Sequence, residues 1–492
     1  MDKIKKLYTI FIISGCLVLS LTSCDSFLDI QPVGKVIPNT LEEYRALITT
    51  AYGVDLTDRG MCDMRTEDIS VSKDEFDQNN FKDIERWVTS NPSGTEFGWS
   101  YYYQNIYYAN AIINKKNEIT EGSEAEINQL VGEAYFMRGY MHFLLVNLYG
   151  QPYTKEGAPT SKAIPLKLSL DLEEMPTRNT VEEIYASILS DIENARQLIN
   201  HKEWETGYNY RFSKLAVDAF ESRVRLYKGE WQAAYNAAER VLEQKSTLED
   251  YNNNNSTDFQ MPNTYTSVES ITAYENVYSR NGINASLATP TFVKMFKEGD
   301  LRTERYFGDA DEKNDGNYKI IKTDETSQYK CTFRTAELYL NAAEALAQLD
   351  QLPEARDYLL KLMEKRYTSA GYTQKKNEVN AMNQAELITE ILNERARELA
   401  FEGHRWWDLK RWRIAHKIWN GDNNNPSAQR RGLWPYKVVA DGDANDGKWV
   451  FFEKNITEIY PYPLKFELRH YYGDFDNGWL NNNPKLVKNP YQ

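Results

Sequence analysis

Ala216-Val-Asp-Ala219-Phe-Glu-Ser-Arg-Val-Arg-Leu-Tyr-Lys-Gly229-Glu-Trp231-Gln-Ala-Ala234-Tyr-Asn-Ala237 is the stretch on which the fold turns. Small residues line one helical face, a short turn follows at Gly229, and alanines open a second helix. The same order returns in Ala336-Glu-Leu-Tyr-Leu-Asn-Ala342-Ala-Glu-Ala-Leu-Ala-Gln-Leu-Asp-Gln-Leu-Pro-Glu-Ala355-Arg-Asp-Tyr-Leu. Small side chains let two helices cross closely, which is the tetratricopeptide-type pairing; a generic helical hairpin is the alternative. Two further pairs, near 100–149 and around 180–199, would complete a solenoid of four.

Helix starts recur outward from these copies. Thr40 with Glu43, Ser123 with Glu126, Thr180 with Glu183 and Asn383 with Glu386 each place a capping residue three before a Glu. After the third comes an apolar stripe of 3.6-residue period: Val181, Ile184, Tyr185, Ile188, Ile192 and Ala195. Gly150 and Gly403 stand where helices can end. Residues 246–290 lack this period and are rich in Asn, Thr, Ser and Tyr, as 420–448 are in Asn, Asp and Gly; such stretches are long loops or a functional lobe on the scaffold.

At the N-terminus Lys3, Lys5 and Lys6 precede an apolar run from Leu7 to Leu21 that ends Leu21-Thr22-Ser23-Cys24. Charge, a short apolar core and small residues before the cut make a secretory signal, too short to span a bilayer. The Leu-x-small-Cys ending marks a lipoprotein, with the Cys24 thiol as the atom lipidated. No later stretch offers the ~18 continuous apolar residues of a crossing, so the acyl chains are expected to be the anchor.

Hydrophobic content of 41% and charged content of 26% are those of a globular chain. Net charge is −14, and loss of residues 1–23 takes it to about −16, which argues against nucleic acid. Cys62 and Cys331 remain as two buried thiols or one disulfide. The aromatic share, 13% with 34 Tyr and 11 Trp, points to rings on a binding surface as well as in the core. There is no Gly-rich phosphate loop, His-Glu-x-x-His, Cys-x-x-Cys or Gly-x-Ser-x-Gly, and the five histidines are scattered. No cofactor, metal or catalytic residue is expected; an enzyme would need a carboxylate pair that nothing here singles out.

The run from Glu394 to Trp412 packs charges and aromatics densely. Apolar positions 388, 391, 392, 396 and 399 form one stripe, Gly403 ends that helix, and Trp406, Leu409 and Trp412 continue on the next. Arg395, Glu398, Glu402, Arg405 and Asp408 then fall near the junction, where Arg–carboxylate pairs can lock the two helices; ligand contact is the other reading.

With these residues in view, the chain resembles the SusD/RagB family of outer-membrane nutrient-uptake lipoproteins. The likeness runs through Cys24-Asp-Ser-Phe27-Leu28-Asp29, Trp99 to Ile113, Gly132-Glu133-Ala134 to Arg138, Leu148-Tyr149-Gly150-Gln-Pro152 and Arg178-Asn-Thr180-Val181. It continues through Arg334-Thr-Ala336-Glu337 and Glu394 to Trp412, and ends at Asn489-Pro490-Tyr491. Met137 and Gly139 depart from residues common beside that Arg, and the terminus lacks the usual Gly between Pro and Tyr. The resemblance implies an all-α fold of four tetratricopeptide-type helix pairs with an irregular loop-rich lobe and minor β content. It implies a surface lid on a SusC-like TonB-dependent barrel that captures oligosaccharides, or in some members peptides, without catalysis. The resulting division is a signal peptide (1–23), a tether (24–40), an N-terminal region with tetratricopeptide-type helices (41–245), a ligand-side lobe (246–333) and a C-terminal region with the last helix pair (334–492). Ligand location carries over only by region, which here contains Arg65, Asp68, Trp87, Trp99, Tyr102, Tyr274 and Tyr278. For a sugar, rings would cover the C–H face and polar groups the hydroxyls.

Overall fold

The computed structural model describes residues 38–66, 68–73, 81, 84, 100–171, 176–253, 257–278, 280–323 and 330–418. Eleven longer helices dominate these residues: α1 (Leu41–Tyr52), α2 (Ser100–Asn114), α3 (Glu124–Tyr149), α4 (Val181–Leu198), α5 (Lys214–Lys228), α6 (Trp231–Leu242), α7 (Thr335–Gln348), α8 (Leu352–Glu364), α9 (Ser369–Ala381), α10 (Gln384–Glu398) and α11 (Arg405–Ile418).

All four Ser/Thr/Asn–Glu starts are reciprocal capping boxes, at α1, α3, α4 and α10. Each satisfies two N–H groups that the first helical turn leaves unpaired. The six stripe residues of α4 are all buried, against α3. The helices pair as α3/α4, α5/α6 and α7/α8, α7 packs on α6 so that successive hairpins stack, and α10 packs on α7 while an Arg395–Asp408 ion pair ties it to α11. One expectation shifts: 100–149 is not a self-contained pair, because α3 holds α2 on one side and α4 on another. Gly132 and Gly139 make the α3/α4 approach possible, since a Cβ at Gly132 would stand 2.7 Å from Ile199 Cγ1 and one at Gly139 3.1 Å from Asp191 Cβ. The α5/α6 turn closes on Gly229 in the left-handed region (φ 74), whose N–H reaches the Arg225 and Leu226 carbonyls. Ser222 Oγ donates to the Ala234 carbonyl and accepts from Asn341 Nδ2, tying α5 to α6 and to α7.

The lobe carries a four-stranded antiparallel sheet in the order β1-β5-β7-β6, from Ile69–Val71, Ser286–Ala288, Asn317–Ile320 and Phe307–Asp311. Two small pairs complete the strands: β2 (Lys162–Pro165) with β3 (Arg178–Thr180), and β4 (Ser270–Thr272) with β8 (Phe333–Arg334). Ile69 pairs with Ala288, so the sheet draws a strand from well before residue 246. Cys62 and Cys331 are both buried free thiols. Among the described residues no helix is long and apolar enough to cross a membrane.

Candidate functional site

The last turn of α10 reaches the lobe through buried charge. Glu398 Oε1 accepts from Arg334 Nη1 at 2.7 Å and Arg366 Nη2 at 2.9 Å. Its Oε2 accepts from Arg366 Nε at 2.9 Å and Arg302 Nη1 at 3.0 Å. Arg334 also holds Glu402 in a fork, at 2.9 and 2.8 Å, and Glu269 at 2.9 Å. Lys322 Nζ bonds Glu402 at 2.7 Å, and Arg302 forks onto Asp300 at 2.8 Å. Burial alone would push the Glu398 carboxyl up; Arg366 and Arg334 hold it well below the usual carboxylate range. Burial draws the Lys322 ammonium down to about 8 against the opposing pull of Glu402.

Next to this hub is the α10/α11 junction. Phe401 (φ 61) and Gly403 (φ 70) adopt the left-handed conformation, and a Cβ on Gly403 would meet Arg59 Cγ and Val277 Cγ1 at 2.8 Å. Arg395 Nε bonds Asp408 Oδ2 at 2.8 Å across the junction, while Arg411 Nε takes Asp408 Oδ1 at 2.8 Å. Arg395 and Asp408 therefore join the two helices. Glu398 and Glu402 instead take partners from 302–366, and Arg405 pairs with Asp68 at 2.9 Å.

A short helix, Asp58–Asp63, fills the space between these parts. Tyr102 OH, from the first turn of α2, donates to Asp58 at 2.9 Å. Asp63 Oδ1 accepts the Trp406 N–H at 3.1 Å, which caps α11 from a distant segment, and Asp63 Oδ2 accepts from Tyr278 OH at 3.4 Å. Burial pushes the Asp58 carboxyl up to about 6 and Asp63 up to about 7. Arg59 Nη2 bonds Glu275 at 2.9 Å, and the Arg65 guanidinium sits 5.9 Å from the Trp406 ring.

The expected ligand residues are thus brought together, but inside the protein. Arg65, Asp68, Tyr102, Tyr274 and Tyr278 are at most 4% exposed. Tyr274 packs edge-on against Tyr52, Phe212 and Tyr140, with Asn105 donating to its hydroxyl at 3.4 Å. This corrects the expectation that these five face a ligand: rings with covered faces and bonded hydroxyls offer a sugar nothing to stack on. Cys24, Trp87 and Trp99 lie outside the described residues. Among the described residues the tyrosine rings that stand open are Tyr101, 58% exposed beside buried Tyr102, and Tyr208, 52% exposed. Helical phase separates Tyr101 from Tyr102 on α2. Arg59, Asp58, Asp63, Arg302 and Arg366 carried no local signal. Among the described residues no group of three or more His, Cys, Asp or Glu is placed to hold a metal ion.

Two family profiles match this chain. One, described as "SusD family", covers residues 193–491; the other, described as "Starch-binding associating with outer membrane", covers 27–226. A SusD-like protein, P38, of Formosa agariphila is 25% identical over 88% of this chain and 96% of its own. Among solved structures, a SusD superfamily protein of Bacteroides thetaiotaomicron superposes with a TM-score of 0.63 at 23% identity, over 75% of this chain and 89% of that one. A laminarin-binding SusD-like protein does so with a TM-score of 0.57 at 18% identity, over 78% and 94%. Family profile, full-length relative and stacked helix pairs agree, and the chain belongs to the SusD family.

Proposed function

We propose that the protein is a surface-exposed lipoprotein of the outer membrane, anchored through Cys24, that captures oligosaccharides without cleaving them. It delivers them to a SusC-like TonB-dependent barrel for import. The observation that carries this reading is that family likeness spans the chain, with a starch-binding, outer-membrane-associated profile over its first half. A laminarin-binding protein of the same fold supports saccharide as the cargo. The interior supports a rigid platform, since a buried network with every carboxylate held by guanidinium groups resists rearrangement. With Tyr102, Tyr274 and Tyr278 in the core, Trp87 and Trp99 are the remaining rings of the expected ligand set.

The anchor and the partner are tested together. The tagged protein should fractionate with outer membranes, take up labelled fatty acid and co-purify with a TonB-dependent barrel. Cys24→Ala should abolish the label and release the protein, because removing the thiol leaves no acyl chain to bind the bilayer. A mutant still labelled and still membrane-bound would refute the anchor, and purification without any barrel would refute the partnership.

A further inference from the structure

Glu133 on α3 is fully buried and receives four donors. Tyr52 OH and Gln129 Nε2 are neutral. The other two are guanidinium groups from separate segments: Arg45 Nη1 of α1 on one carboxylate oxygen at 2.7 Å, and Arg211 Nη2 of the 200–213 loop on the other at 2.9 Å. One guanidinium would balance the carboxylate. The second leaves a positive charge over, in a chain whose net charge is −14. Both arginines reach the surface, with side chains 25% and 17% exposed. Each spends one N–H on Glu133, and Arg211 Nε is buried without a partner.

Rings flank the Arg211 side of this pair. The Arg211 guanidinium lies 3.7 Å from the Trp204 ring centroid, and His201 stacks on the same indole at 3.9 Å and 15°. Trp204 is therefore covered on both sides, and the stack ends in the exposed His201 ring. Trp204 Nε1 bonds the Phe212 carbonyl at 3.1 Å, which fixes the pillar. Tyr208, 52% exposed, opens the turn that Arg211 closes, since the Arg211 N–H bonds its carbonyl at 3.0 Å. Burial and Arg211 lower the His201 pKa, so that ring is a neutral, apolar face near neutrality.

We propose that Arg45 and Arg211 are the anion-binding half of a surface subsite for an acidic saccharide, one bearing a carboxylate or sulfate group. Two neighbouring guanidinium groups held on one carboxylate repel each other, and an oxyanion bridging their outward N–H groups relieves that repulsion with fork geometry. The exposed Tyr208 and His201 rings supply the apolar surface a sugar ring needs beside its charge. Glu203 in the same loop is engaged by Lys245 at 3.4 Å, whereas Glu205 is exposed and opposes an anion. The saccharide half rests on the capture reading above; the oxyanion half stands without it.

Calorimetric titration of the full-length protein in detergent with three probes tests this: a hexuronate trisaccharide, its neutral hexose counterpart and inorganic sulfate. The hexuronate should bind at least about tenfold more tightly than the neutral sugar, the effect of one charge-assisted contact, and should weaken as salt rises. Arg45→Met should erase that preference and Arg45→Lys part of it, with melting temperature held because Arg211 still neutralises Glu133; Glu205→Gln should strengthen binding. Equal affinity for acidic and neutral sugars, or an unchanged preference in Arg45→Met, would overturn the proposal. Sulfate binding more tightly than the hexuronate would overturn its saccharide half. Hexuronate affinity unchanged in Arg45→Met while both sugars still bind would place capture elsewhere and leave the capture reading intact, whereas a protein that bound neither sugar would refute that reading.

Discussion

The α5/α6 hairpin and the α10/α11 junction differ in what fills them. On α5 and α6 the buried positions include Ala216, Ala219, Ser222, Ala234, Ala237 and Ala238. On α10 and α11 the buried positions include Glu394, Arg395, Arg397, Glu398, Asp408 and Arg411. A hairpin that meets another hairpin needs small, shape-matched side chains, which dispersion and burial stabilise. α10 packs on α7 and α8 and at its last turn also meets the lobe, where Arg302 and Lys322 add charge and directional hydrogen bonds that fix the register. Ion pairs of this kind add little net stability against an apolar core, but breaking one strands its partner. The lobe is thus part of the last helix pair's structure.

Three substitutions sharpen that contrast. The largest effect is expected from Glu398→Gln, which takes the shared charge from Arg302, Arg334 and Arg366. Chemical denaturation should show a loss of roughly 3–5 kcal/mol, and a loss under 1 would mean the hairpin holds by its apolar face alone. Gly403→Ala comes next, because the new methyl meets Arg59 and Val277 in a left-handed backbone. A cost of roughly 2–4 kcal/mol is expected in the same assay, and a neutral result would mean the junction can open without penalty.

Asp63→Asn has the smallest effect and the opposite sign. Burial raises the Asp63 carboxyl from 3.8 to about 7, so the folded state holds its proton where the unfolded state has lost it. That contribution is fully present below about pH 4 and is lost as pH rises towards 7. Asn keeps an oxygen for the Trp406 N–H and cannot ionise. The variant should gain on the order of 2 kcal/mol over wild type at pH 8, and little at pH 4. Parallel stability–pH curves for the two proteins would contradict this.

What could be read in advance follows the range of the interactions. Capping boxes are encoded within four residues, and the α4 stripe within one helix, so Thr40, Ser123, Thr180 and Asn383 and the six α4 positions were all legible. The partners of Glu398 lie 32, 64 and 96 residues away. Nothing local distinguishes Arg366 from an exposed arginine, so only the density of charge from Glu394 to Trp412 signalled a network. Aromatic residues failed for another reason. A tyrosine with its hydroxyl bonded inside, like Tyr274, and one on the surface, like Tyr208, satisfy the same composition and the same spacing. The choice between them depends on which helices converge, and the convergence of Asp58–Asp63, Val277 and Gly403 joins three parts of the chain far apart in sequence.

The most direct test of capture without conversion is to titrate the chain from Asp25 onward with a panel of oligosaccharides and then recover each ligand for chain-length analysis. The account predicts saturable binding to at least one of them and recovery of that ligand at its original length. Shortened products, or binding confined to peptides offered alongside, would contradict it.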